Sequence, residues 1–231
     1  MTRHRSREVV ATSVLLVAAG ALYVLGAWQR WGAVCSFGPD DSTACVLRGD
    51  GMFDPVLPDA WAGAGSASQL IGLAMLLIAV ALALTPVALG RRTTGFTAVV
   101  LAMAVLVQGS AGALTLVSGL RGQGVDFPQT AMSFAYVVLL PILIGLALLI
   151  PDGDDRRAGL RGGLVGWMLI GTTPMIQLMV APAIGGIAVD ASPWSEVMVA
   201  PFLLVAALAL LVGTRGQRSF SNQHLAHSLS L

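Results

Sequence analysis

The stretch VVATSVLLVAAGALYVLGAW, Val9 to Trp28, contains no Asp, Glu, Arg, Lys or His. A hydrocarbon core of about 30 Å is crossed by roughly 20 helical residues, and this run has that length. Five further charge-free windows follow it: Ser68 to Gly90, Thr93 to Leu120, Phe127 to Pro151, Gly162 to Val189, and Val197 to Thr214, the last with Pro201 near its start. All are apolar on every side, whereas a membrane β-barrel shows short segments of alternating character. A helix satisfies its backbone hydrogen bonds within the segment, as a lipid environment demands. The expected fold is therefore an all-α integral membrane bundle of about six transmembrane helices, near residues 9–28, 68–90, 95–120, 129–150, 163–187 and 197–213. Residues 1–8 form a short N-terminal segment and residues 29–67 an extracytoplasmic loop. The tail 215–231, rich in Ser, Asn and Gln, is expected to be disordered.

Composition leads the same way. Hydrophobic residues make up 56% of the chain and charged residues 11%, against roughly a quarter charged in soluble domains, so the lipid bilayer is the expected partner. A net charge of +1 gives no electrostatic footprint for nucleic acid. All 13 basic residues are arginine, which with the Ala, Gly and Val richness suggests a GC-rich bacterial genome and an inner, plasma membrane.

Arginine placement predicts orientation, because cytoplasmic loops carry the excess of basic residues. With the N-terminus inside, Arg3, Arg5, Arg7, Arg91, Arg92, Arg156, Arg157, Arg161, Arg215 and Arg218 are cytoplasmic, and Arg30, Arg48 and Arg121 lie outside. Both termini are then cytoplasmic, and Trp28, Trp31, Trp61 and Trp194 are expected in an outer interfacial belt. The first apolar run exceeds the usual 7–15-residue core of an export signal and no clear A-x-A site follows, so it reads as an uncleaved helix. Val34 before Cys35 also disfavours a lipoprotein signal.

The first outer loop holds both cysteines, Cys35 and Cys45, on either side of the turn-forming Gly38-Pro39-Asp40-Asp41. On the oxidising side of a membrane they predict a disulfide, worth on the order of 3 kcal/mol in the loop-entropy description. Membrane thiol chemistry is the rival, but it calls for a close C-x-x-C pair. Asp40, Asp41, Asp50, Asp54 and Asp59 raise the question of calcium, yet their spacing matches no known calcium loop, and a solvated acidic loop is expected.

Ionisable groups inside a membrane usually mark function, and the six windows have none. This argues against a proton-coupled pump, while a permease reading its solute through neutral groups stays open. Gln108, Thr172, Thr173 and Gln177 are the candidates for an intramembrane polar site; the alternative for the glutamines is interhelical hydrogen bonding. In the fifth window Pro174 predicts a kink, with Thr172 and Thr173 available to bond freed carbonyls. Broken helices often hold transporter sites, but no matching repeat half is present. Met175 and Met179, on one helical face with Met168 and Thr172, are candidate soft ligands for Cu(I), with gap-filling packing as the competing role. His224 and His227 do not make a zinc site by themselves. No metal or other cofactor is expected.

Small residues at Gly162-x-x-x-Gly166 and through Gly109-Ser-Ala-Gly-Ala113 predict close helix packing, within the bundle or against another subunit. No G-x-x-x-x-G-K phosphate loop occurs, and all three histidines lie in the terminal segments, so no nucleophile–base–acid set can be placed together. The leading expectation is a non-enzymatic structural or accessory component of a membrane assembly, in contact with other membrane subunits or with itself. The alternatives are a permease for a neutral or zwitterionic solute, and membrane thiol or copper chemistry.

Overall fold

A computed structural model of the chain describes residues 3–32, 35–36, 42–45, 66–91, 93–122, 125, 128–149, 156–176 and 194–212. Among them all regular structure is helical, and four helices are long and apolar enough to cross a membrane, the architecture of a helical membrane protein. They are α1 (Arg3–Trp31), α2 (Ala67–Leu89), α3 (Gly95–Arg121) and α4, which begins at Gln129, passes through a π-helical turn at Ala135–Leu139 and ends at Leu148. Two shorter helices follow, α5 (Arg156–Gly171) and α6 (Glu196–Val212), α6 starting within a 3-10 turn at Ser195–Met198.

The boundaries have local causes. At the end of α2, Gly90 takes φ 70°, a conformation that costs glycine little. Its N–H reaches Val87 O and the N–H of Arg91 reaches Pro86 O, closing the helix with a paired set of backward bonds. Thr94 caps α3, its hydroxyl accepting from the Thr97 N–H, and Gly122 ends that helix at φ 67°. In α4 the π turn lies just before Pro141, which has no N–H to donate and whose ring crowds the preceding turn; the N–H of Leu140 reaches back to Ala135 O. The expected break at Pro174 is present. α5 stops at Gly171, and the Thr173 hydroxyl donates to Ile170 O at 2.7 Å, the carbonyl that proline at 174 leaves without its helical donor.

Small residues set the packing. Helices α2 and α3 run antiparallel in a tight seam: Gly119 meets Ser68, Gly112 meets Gly72 and Met75, and Gly109 faces Ala79. A Cβ on Gly72 would lie 2.5 Å from the Leu116 backbone nitrogen, and one on Gly112 would lie 2.9 Å from Met75 Cβ. Gly162 gives its space to the Arg91 guanidinium, and Gly166 packs under Leu148 and Leu149. Both small-residue patterns are thus used inside the bundle.

Helix α1 packs on α2, and α4 packs on both α3 and α5. Helix α6 returns to both neighbours: Ser13 Oγ donates to Ala207 O at 3.2 Å, and the Phe202 ring lies on Gly171. The helices therefore follow one another around a ring that closes between α6 and α1. Leu16, Leu82, Leu140, Leu169 and Leu203 fill its core, while Val14, Leu106 and Val212 point outward and are more than half exposed, as lipid contact requires. At one end, the Gln29 side-chain oxygen Oε1 accepts from both the N–H and the hydroxyl of Ser66, joining α1 to α2. At the other end, Arg91 Nη1 donates to Leu148 O at 2.7 Å.

Trp31 departs from the expected belt, being fully buried. Trp28 is exposed and its ring packs against Trp194 at 5.8 Å. Trp61, the acidic residues Asp40 to Asp59 and the tail 215–231 lie outside the described residues.

Candidate functional site

The candidate intramembrane polar residues do not form one site among the described residues. Gln108 is buried in the α2–α3 seam, where its amide donates to Met75 O at 3.3 Å. Thr172 and Thr173 are buried but turn onto their own helix, bonding Leu169 O and Ile170 O, each at 2.7 Å. Met175 is 37% exposed. Gln177 and Met179 lie outside the described residues.

A different cluster occupies the middle of the ring. Tyr23 on α1 and Tyr136 on the π turn of α4 are both buried and near enough to interact with one another, and Tyr136 also interacts with Gln108. The π turn positions one of these phenols, since an extra backbone residue rotates the side chains that follow by most of one residue step. Ser118, lower on the same face of α3, is buried with its hydroxyl unpartnered among the described residues.

The second cluster lies at the end where α1 stops and α6 starts. Arg30 Nη1 donates to Glu196 Oε1 at 2.9 Å, and the indole N–H of Trp31 donates to Glu196 Oε2 at 2.8 Å. Both oxygens of the carboxylate are therefore engaged by consecutive residues of α1. The Arg30 side chain is 0% exposed and that of Glu196 8%, so the pair is withdrawn from water. Removing two charges from solvent is costly and needs good geometry with added hydrogen bonds; the Trp31 N–H supplies one, and the Trp31 ring 4.6 Å from the guanidinium carbon adds a cation–π contact.

The disulfide completes this end. Cys35 and Cys45 are bonded, and both are buried with Ala27 and Trp31, against Trp194 and Val197 at the start of α6. The Cys35 N–H donates to Trp31 O at 2.8 Å, one turn beyond the helix, and the Cys45 N–H donates to Ser42 O at 2.9 Å. Trp194 takes φ 70°, a conformation that costs a bulky residue about 1–3 kcal/mol and persists where its surroundings hold it. What holds it here is the bond from its indole N–H to Ser36 O at 3.0 Å together with the tilted ring contact with Trp28.

Glu196, with donors on both oxygens, is a counter-ion in this geometry and not a base facing a reactant. Both cysteines are buried in an apolar cluster with Ala27 and Trp31, unlike the exposed, electropositive setting of a reactive thiol. Among the described residues, no three His, Cys, Asp or Glu side chains come together as metal ligands do.

Four of these residues escape a reading based on charge-free windows. Arg30 lies two residues past the first window and Glu196 one residue before the last, so each looks like an ordinary flanking charge. Their opposite signs at the same predicted side of the membrane were the available signal. Tyr23 and Tyr136 are the chain's two tyrosines, each well inside a window, and a hydroxyl count of the windows would have found them. Comparison with protein-family models, with curated proteins and with solved structures finds no match for this chain.

Proposed function

We propose that the chain is a six-pass plasma-membrane protein, both termini cytoplasmic, that acts as a non-enzymatic structural or accessory component of a larger membrane assembly. The observation that carries this reading is how the interior polar groups are used. Gln108 bonds the α2 backbone, Thr172 and Thr173 bond their own helix, and the Glu196 carboxylate is held by Arg30 and Trp31. A permease that recognises a solute through neutral groups needs such donors and acceptors turned toward a path, so the permease reading draws less support from these residues. Thiol chemistry draws little support from cysteines buried in an apolar cluster on which Trp194 and Val197 pack.

The orientation rests on the arginine distribution and on the disulfide, which belongs on the oxidising side. In the bundle Cys35 and Cys45 lie at the end of Gln29 and Ser66, opposite the end where Arg91 meets Leu148. Purification in mild detergent followed by native mass spectrometry tests the role. A partner retained at fixed stoichiometry is the expected result; a partner-free monomer or a symmetric oligomer of this chain alone contradicts it.

A further inference from the structure

The disulfide and the first turn of α6 bury each other. Cys35 and Cys45 are 6% and 1% exposed, and Trp194 and Val197 pack against the cluster they form with Ala27 and Trp31. In return, the loop that the disulfide closes supplies Ser36 O as acceptor for the Trp194 indole. Residues just before it, Arg30 and Trp31, hold both oxygens of Glu196. These three hydrogen bonds between α1, the turn that follows it and the start of α6 all lie within six residues of Cys35.

We propose that this arrangement is a redox-gated latch, in which Glu196, seated on Arg30 and Trp31, keeps its neighbours Trp194 and Val197 packed on the cluster that contains the disulfide, and reduction of the disulfide releases the start of α6 from α1. The chemistry is thiol–disulfide exchange with a dithiol, either a small molecule or a protein. A thiolate of the dithiol attacks one sulfur, the other leaves as a thiolate and takes a proton, and a mixed disulfide forms. The second thiol of the dithiol then resolves it. Two electrons and two protons pass to Cys35 and Cys45, and the dithiol leaves as its disulfide. Attack needs access to a sulfur, so the latch must open before reduction, and the rate of reduction follows the population of the open form. Linkage makes the effect reciprocal: whatever favours the closed latch protects the bond, and the bond favours the closed latch.

Two measurements on the full chain in detergent or nanodiscs test this. In the first, dithiothreitol is added under non-denaturing conditions, free thiols are trapped by alkylation, and intact mass is followed with time. Glu196→Ala is expected to speed reduction by about tenfold or more, since it opens a buried, hydrogen-bonded pair. Trp194→Phe, which keeps an aromatic ring but removes the indole N–H that bonds Ser36 O, is expected to give a smaller increase and serves where Glu196→Ala does not fold. Rates for the folded variants within about twofold of the wild type overturn the shielding. In the second, amide hydrogen exchange is compared between the wild type and Cys35→Ser/Cys45→Ser. Faster exchange confined to residues 195–202 is expected, with 67–89 unchanged. Unchanged exchange at 195–202, or a uniform rise over all helices, overturns the gating.

Discussion

Arg30 and Glu196, 166 residues apart in the chain, lie 2.9 Å apart and ionically bonded inside the protein. They tie the end of α1 to the start of α6 and so close the ring of helices. Removing one partner of a buried pair strands the other charge, at a cost of about 3–5 kcal/mol, whereas replacing both by apolar groups of similar volume is often nearly neutral. Arg30→Met and Glu196→Leu are each expected to lower the thermal unfolding midpoint in detergent, and the double variant is expected to regain most of the loss. A double variant no more stable than the sum of the two singles contradicts the pairing.

The α2–α3 seam makes a prediction with a built-in control. Gly72→Ala places a methyl group 2.5 Å from the Leu116 backbone nitrogen, and overpacking of this kind costs about 1–3 kcal/mol. Gly163 meets nothing within 4 Å of an added Cβ, so Gly163→Ala is expected to be neutral or stabilising, since alanine favours a helix interior over glycine. Thermal unfolding of the two variants side by side checks this, and equal effects would contradict the seam.

The polar groups of α3 are expected to differ in worth. Gln108→Leu removes the bond to Met75 O and the contact with Tyr136, and interhelical hydrogen bonds of this type contribute about 0.6 kcal/mol on average and up to about 1.7. The Ser118 hydroxyl is buried and unpartnered among the described residues, so Ser118→Ala is expected to be neutral or stabilising. Tyr23→Phe and Tyr136→Phe should be non-additive with each other, because each loss removes the same contact. Unfolding midpoints measured across this set decide the point.

Helical character and membrane residence were legible in the sequence because both depend on a single property, long runs without charge. The disulfide was legible because Cys35 and Cys45 have no other partner of their kind. What was not legible was how residues distant in sequence meet. Gly109 and Gly112 could have faced a second subunit, and only the antiparallel register of α2 against α3 places them on Ala79 and Met75. Position alone places Trp31 in an interfacial belt, since nothing local says that Glu196 accepts its N–H. The Tyr23–Tyr136 contact depends on the π turn before Pro141, a change of register that apolar windows do not reveal.

Topology has a direct test. Alkaline phosphatase fused after Gly122 is expected to be active, and fused after Gly90 inactive, because the first site lies at the cysteine-bearing end and the second at the Arg91 end, where basic residues hold a segment in the cytoplasm. The reverse pattern would contradict the proposed orientation.

Water access to the bundle interior tests the central claim most directly. Single cysteines at Gln108, Thr173 and, as an exposed reference, Thr93 are introduced beside the native disulfide, and each protein in nanodiscs is treated with a water-soluble maleimide. If the interior polar groups serve packing, Thr93→Cys labels fully while Gln108→Cys and Thr173→Cys stay unlabelled. Labelling of the two interior positions at a rate comparable with Thr93→Cys would contradict the account, and would place a water-filled path where this account has a packed core.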